Sequence, residues 1–450
     1  MEAKKMRYAA ISFLLILVAY IFSLEIRRDN FTQRTGADGL EATYHVLWTA
    51  WALAQSTAEN HYYLPTVTKV PELGNPFVWG STVVSRGGSY VYTSFPPAGF
   101  LLPYALFSWR SQGLGFFTLS LLNSLIGLSS AVAMGALARA VTRSLLQGAT
   151  ARLQSEWVVF TTVSILYLFL RESLVSHGAV YWPHSVSQLT LIIGAFMAYK
   201  VFQGRDTILS NAILLLALFI YPALEWTGFI FAVGVSIALL INWRLIRRQP
   251  DQARSNGIRN LSLAIATLLL TALSGIALIA IFSIAIGLEN LLEALASRAT
   301  ARTFDFGALF GLVPQYFVSF GALVPLALLA GIQVSRNKMM PPSEARPEHL
   351  LFLVVAFPML ENVVLMQHAY QFSFDRLKLA VPLLLVVVVF LVRLKDQNRN
   401  VYVWRRFPLF SIPISKYSPT TIFTIKDGER RWLPTVGWWL NSEKTTDRSA

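Results

Sequence analysis

The chain has 450 residues, 54% of them hydrophobic and only 14% charged, with a formal net charge of +14. That is too apolar for soluble domains of this length and marks a multi-span membrane protein. An excess of 38 Lys and Arg over 24 Asp and Glu would suit a nucleic-acid binder only if the cations gathered on a soluble face. With no cysteine, a disulfide framework, a thiol nucleophile and a thiolate metal site are all excluded.

In chain order, Lys4, Lys5 and Arg7 precede the apolar run from Tyr8 to Leu24, which predicts a first span with its N-terminus inside. No small-residue cleavage site follows it, because the chain continues Glu25-Ile26-Arg27-Arg28. Further apolar runs lie at Phe116–Ala138, Trp157–Leu170, Val186–Phe202, Thr207–Tyr221, Trp226–Asn242, Leu261–Gly287, Tyr316–Val334, Leu350–Leu365 and Leu379–Leu394. Together these predict an all-α polytopic fold of about ten transmembrane helices. The run Phe95–Trp109 is interrupted by prolines and is short for a crossing, so it is expected on the membrane surface as an interfacial or re-entrant segment.

Charge placement supports that assignment. With Phe95–Trp109 left out of the spans, Arg139, Arg143, Arg152, the basic loop between Trp243 and Asn260, Arg336 and Lys338 all fall inside. Most of the positive charge then records topology, and the outer face is near neutral. The expected organisation is a membrane domain over 1–394, with a first external loop at 25–115, and a basic, aromatic cytoplasmic tail over 395–450. Five of the 6 histidines, His45, His61, His177, His184 and His368, fall in or beside external segments. Tyr181 and Trp182 are read as aromatics of the interfacial belt. Glu225, after Tyr221-Pro222, is the ionisable residue that departs from placement at span ends and in the larger loops.

The stretch from Asp38 to Trp51 predicts a surface helix. Leu40, Tyr44, Leu47, Trp48 and Trp51 form an apolar side, and Asp38, Glu41 and His45 share the opposite one, facing a cavity above the membrane. Further on, Tyr90-Val91-Tyr92 leads through Phe95-Pro96-Pro97 into another short surface helix, since paired prolines force an extended entry. Motifs for a phosphate-binding P-loop, a dinucleotide fold, a zincin or an Asp-x-Asp metal site are absent from the sequence.

These features, namely an inside N-terminus, an external acid on a surface helix, an aromatic-x-Pro-Pro turn and many later spans, resemble the GT-C superfamily of polyprenyl-phosphate-sugar-dependent glycosyltransferases. The protein O-mannosyltransferase and lipid A aminoarabinose transferase branches are the nearest likenesses. The resemblance implies a sugar transfer from a polyprenyl-phosphate carrier to a lipid, glycan or protein acceptor on the external face of the cytoplasmic (inner) membrane. It implies Asp38 as general base for the acceptor hydroxyl, with Glu41 as the alternative. It also places Tyr181-Trp182-Pro183-His184 where relatives often carry an acidic cluster, so that a divalent metal is doubtful and no cofactor is expected.

Candidate substrate-binding residues are His45, Tyr92, His184 and His368, with Arg298 and Arg302, spaced i,i+4, and Arg376 and Lys378 as phosphate clamps. For such external arginines, pairing with a local acid such as Asp305 or Asp375 is the competing reading. A transporter or flippase of a lipid-linked anion, or a glycan polymerase or ligase, is the alternative function.

Overall fold

The structure is a computed structural model that describes residues 2–28, 40–67, 82–107, 115–146, 149–247, 254–301, 306–336 and 347–397. The chain separates into two units, Met1–Asp396 and Gln397–Ala450. The expected tail lies outside the described residues, apart from its first three positions.

The helices used below are α1 (Glu2–Ile26), α2 (Leu40–Gln55), α3 (Ala98–Phe107), α4 (Phe116–Leu145), α5 (Ala149–Phe169), α6 (Pro183–Phe202), α7 (Ile208–Leu224), α8 (Thr227–Ile246), α9 (Arg254–Ile286), α10 (Leu288–Ala301), α11 (Phe306–Phe320), α12 (Leu323–Arg336), α13 (Pro347–Ala356) and α14 (Ala380–Gln397). Among the described residues, one hairpin, β1 (Thr82–Val84) and β2 (Tyr90–Tyr92), pairs antiparallel with Val83 opposite Val91.

The helices are inverted relative to those of a soluble protein. On α1 the buried stripe is Ser12, Ile16, Tyr20 and Ser23, whereas Leu14, Leu17, Val18, Ile21 and Phe22 are exposed. Helix α9 likewise turns Ile265, Leu269, Leu273, Ile276 and Ile284 outward. Large apolar side chains facing out along whole helices are what a lipid solvent requires. Inside, small residues let the helices approach. A Cβ on Gly135 of α4 would lie 2.1 Å from Ser164 Oγ on α5.

Among the described residues, six helices are long and apolar enough to cross a membrane, or up to eight spans if each of two bent pairs counts once. The ten straight runs expected from the sequence therefore resolve differently in four places. Trp157–Leu170 continues past a 66° break into Arg171–Gly178, and Tyr316–Val334 is two helices, α11 and α12, meeting at 102°. Gly321, at φ +53°, makes that second corner with the left-handed backbone that glycine tolerates. The third and fourth are α7, a shorter apolar helix of 17 residues, and α14, an 18-residue helix that is not among those spans.

Phe95–Trp109 contributes the 10-residue α3 rather than a crossing. It packs with α2 and α6 at the end of the bundle that also carries the hairpin. There Arg86 N–H donates to Ala285 O at the end of α9 (2.8 Å), Trp226 Nε1 donates to Ser94 O (2.8 Å), and Arg27 Nη1 donates to His177 O (2.6 Å). We call this the loop end. The opposite end holds Arg143 and Arg139 on Glu156, and Arg259 on Asp206.

Candidate active site at the loop end

The segment between α5 and α6 leaves helical geometry at His177 and runs extended through Trp182 before Pro183 opens α6. Proline suits that first helical position, and it places His184 in the first turn. The segment is fixed from both sides. Asn123 Nδ2 donates to Ser176 O and Val180 O (2.9 Å each), Tyr181 N–H donates to Thr43 Oγ1 (3.0 Å), and Tyr181 Oη donates to Gly99 O (2.9 Å). Gly99 lies directly against Pro183, where a Cβ would come within 2.6 Å.

His184 is buried, and its Nε2 lies 2.7 Å from Asp375 Oδ1 and 3.3 Å from Glu225 Oε1. The other oxygen of Asp375 is bonded to Nδ1 of His368. Glu225 accepts from Thr227 Oγ1 (2.6 Å) and from the Lys378 ammonium, which also bonds Glu361 and Thr227 Oγ1 (3.1 Å). Next to this group, Arg376 Nε donates to Ser319 Oγ (2.7 Å), Nη1 to Ala369 O (2.7 Å) and Tyr370 O (3.1 Å), and Nη2 lies 3.5 Å from Glu172.

The charges tune one another. Burial alone would raise the Asp375 carboxyl, but His368 and His184 outweigh it and hold the group well below its usual range. Burial would also raise Glu225, and His184 with Lys378 reverses that into a lowered value. For Lys378, burial works toward the neutral amine, yet Glu225 and Glu361 dominate and hold it well above the ordinary lysine value. Asp375, Glu225 and Lys378 are thus held as ions in a largely buried setting.

An aromatic wall adjoins it. The His45 ring packs at 4.6 Å from Tyr92, 5.5 Å from Trp182 and 5.6 Å from Phe100. Phe95, from the Phe95-Pro96-Pro97 turn, contacts both Trp182 (5.0 Å) and His184 (5.3 Å), so it joins the wall to the charged network. Phe374 closes the far side at 5.0 Å from His184. Burial pushes the His45 imidazole down to about 3, so it is neutral at ordinary pH.

Of the residues expected from sequence, His184, His368, Arg376 and Lys378 meet in the network, and His45 and Tyr92 meet in the wall. Asp38 and Arg302 lie outside the described residues, and Glu41 and Arg298 sit on α2 and α10 with side chains outside them. Two expectations are corrected. Tyr181 and Trp182 are buried, 1% and 5% exposed, rather than belt aromatics, because their segment is walled in by Thr43, Gly99 and Phe95. On α2 the buried side is Ala42, His45, Val46, Thr49 and Leu53, and Tyr44 and Trp51 face outward. His45 therefore lines a packed interior and not an open cavity, since the aromatic side of the helix is the one left to the membrane surface.

Arg376 and Lys378 spend donors inside the protein. Arg376 pairs with Glu172 rather than with its neighbour Asp375. The acids Glu172, Glu225 and Glu361 were not site candidates. Glu225 was visible as an acid between two apolar runs, but a one-dimensional pattern carries no sign of the lysine more than a hundred residues away that it pairs with. Among the described residues, no group of three or more His, Asp or Glu could hold a metal ion. The Lys378 ammonium sits between Glu225 and Glu361, and the Asp375 oxygens are taken by two imidazoles, so the donor set does not fit a metal.

No protein-family model matches the chain, and no curated protein matches it. Among solved structures it is similar to the oligosaccharyltransferase of the archaeon Archaeoglobus fulgidus. The complex of that protein with Zn and sulfate is 12% identical over 91% of this chain and 52% of that one, with a TM-score of 0.49. The apo form gives 12%, 88%, 51% and 0.48, and the complex of AglB with an inhibitory peptide and a dolichol-phosphate gives 11%, 91%, 53% and 0.49. The chain thus spans about half the length of those it matches.

Proposed function

We propose that the protein is an integral-membrane glycosyltransferase that moves a sugar from a polyprenyl-phosphate carrier to a lipid, glycan or protein acceptor. The reaction would take place on the external face of the inner membrane. One observation carries the reading: Phe95 of the Pro-Pro turn and His184 of the following loop meet beside Glu225 and Asp375. Those two sequence segments support the GT-C resemblance, and they converge on a wall of aromatic rings next to ionised groups. Aromatic faces suit a sugar, and fixed charges suit the phosphate that departs from it.

In this reading Asp38 or Glu41 takes the acceptor's proton as the hydroxyl oxygen attacks the anomeric carbon. The carbon–oxygen bond to the carrier phosphate breaks, and its electron pair leaves with the phosphate. Purified protein in nanodiscs, given a panel of polyprenyl-phosphate hexoses and pentoses with a membrane-lipid acceptor extract, should form a new glycosidic bond. Asp38→Asn or Glu41→Gln should slow that step by about 10²–10⁴-fold. If both variants keep the wild-type rate, the base lies elsewhere.

The buried Lys378, Glu225 and Glu361 group supports a second reading, because ionisable residues inside a helical bundle also mark transport pathways. A transporter would move an intact labelled carrier across proteoliposomes without forming a glycosidic bond. Diphosphate carriers accepted in place of monophosphates would point instead to a polymerase or ligase.

A further inference from the structure

His368 lies on the short helix Met366–Gln371, and its Nδ1 faces Asp375. Asp375 is held from its other oxygen by His184 Nε2 at 2.7 Å. The result is a relay of imidazole, carboxylate and imidazole in which the two rings differ sharply. His184 is 3% exposed at its side chain, whereas His368 is 21% exposed, with Phe372 at 4.5 Å on one side. With Nδ1 taken by the carboxylate, Nε2 is the ring nitrogen of His368 left for a partner outside the network.

The buried charges around the relay are committed to one another. The acids Glu172, Glu225, Glu361 and Asp375 outnumber the buried cations Arg376 and Lys378, and Arg171 reaches Glu172 only from a half-exposed position. Those two cations are turned inward onto protein acceptors, whereas the His368 ring keeps part of its surface exposed.

We infer that His368 is a catalytic residue that binds the phosphate of the lipid carrier through Nε2–H, with Asp375 and His184 as the positioning residues behind it. This rests on the lipid-phosphate donor of the proposed function and names the group that receives the leaving phosphate. The ring donates a hydrogen bond into the negative charge that grows on the phosphate oxygen as the bond to the anomeric carbon breaks. No net proton need be gained, because the acceptor's proton has gone to the carboxylate base.

The test is binding of a short-chain isoprenyl phosphate, compared with the isoprenyl alcohol of the same length, to full-length protein in nanodiscs by calorimetry between pH 6 and pH 9. The titratable and charged groups on the elements packed around His368 are Tyr370 on its own helix, Tyr316 on α11, Glu361 on the preceding turn, and Asp375 and Arg376 after it. Wild type should prefer the phosphate by about tenfold or more near neutral pH, as expected of a charge-assisted hydrogen bond.

His368→Gln should lose the preference while still binding the alcohol. Asp375→Asn should lose most of the preference with alcohol binding kept, which a purely structural defect would not produce. The inference is overturned if His368→Gln keeps the phosphate preference. Should that variant not fold, a wild-type preference in Asp375→Asn overturns it equally. Sugar transfer that proceeds without any dependence on His368 would sink this inference alone. An intact phosphate preference in a protein that transfers no sugar would sink the transferase and leave the site.

Discussion

Replacing Lys378 with Met removes the one cation that Glu225 and Glu361 share. Methionine keeps the length and apolar stem of the lysine, so cavity formation contributes little and the change is electrostatic. Lys378 is 3% exposed and Glu225 1%, so water cannot replace the lost partner. Removing one member of a buried, hydrogen-bonded ion pair costs about 3–5 kcal/mol, mostly because the other member stays buried and unpaired.

Here the loss is cushioned at both acids. Thr227 Oγ1 and His184 still reach Glu225, whereas Glu361 keeps a part-exposed carboxylate. An expected loss of about 3 kcal/mol follows for Lys378→Met, the low end of that range. The assay is equilibrium unfolding in mixed micelles, followed by tryptophan fluorescence.

The pH dependence gives an independent check. Without the ammonium, one of the two groups that hold the Glu225 carboxyl down is gone and His184 remains, so the folded carboxyl takes up a proton more readily than in wild type, and the variant's deficit should shrink as pH falls from 8 to 5. The double variant Lys378→Met with Glu225→Gln should recover about half of the loss, because the uncompensated charge is gone. A single variant within about 1 kcal/mol of wild type, with no acid rescue, would refute a buried ion pair at this place.

Two further outcomes follow from the aromatic wall. The folded His45 imidazole sits near 3 against about 6.5 in the unfolded chain, so the unfolded state binds the extra proton between those values. The His45 share of stability is complete above about pH 6.5 and is lost as pH falls, by about 2 kcal/mol at pH 5, and His45→Phe should abolish that part of the acid sensitivity in the same unfolding assay. Gly99→Ala places a Cβ 2.6 Å from Pro183 Cβ, so α3 or the Trp182–Pro183 turn must move. It should cost about 1–3 kcal/mol by thermal unfolding and reduce transfer, whereas a variant with wild-type stability would show that this contact yields freely.

Hydropathy made the bundle legible because lipid-facing helices must be apolar outside, and positive charge marked one set of loops. The corners at Leu170 and Gly321 were hidden, since a bent pair of apolar helices and a straight span leave nearly the same one-dimensional trace. The Pro-Pro turn and Pro183 were readable for the opposite reason, because proline constrains the backbone wherever it stands. Site chemistry was half legible. Histidines and cations between the spans stood out, but their partners did not, since Glu172, Glu225 and Glu361 come from separate parts of the chain and meet only through packing. His45 shows the limit of a helical wheel, which separates two faces without saying which one the protein will cover.

The two ends of the bundle treat buried acids differently. At the opposite end Glu156 is gripped by Arg143 and Arg139, both partly exposed, and Arg139 also lies 3.8 Å over the Trp157 ring. Glu348 there is met by the neutral hydroxyls of Tyr199 (2.7 Å) and Ser144 (2.5 Å), so each acid is settled locally. At the loop end the acids are instead linked through shared cations and imidazoles, so that altering Lys378 or Asp375 disturbs several neighbours at once. Such a network is not the stable choice, because well-packed apolar side chains of similar volume would serve stability as well or better. What it supplies is a set of charges fixed in position before a substrate arrives, with one imidazole edge left open to meet it.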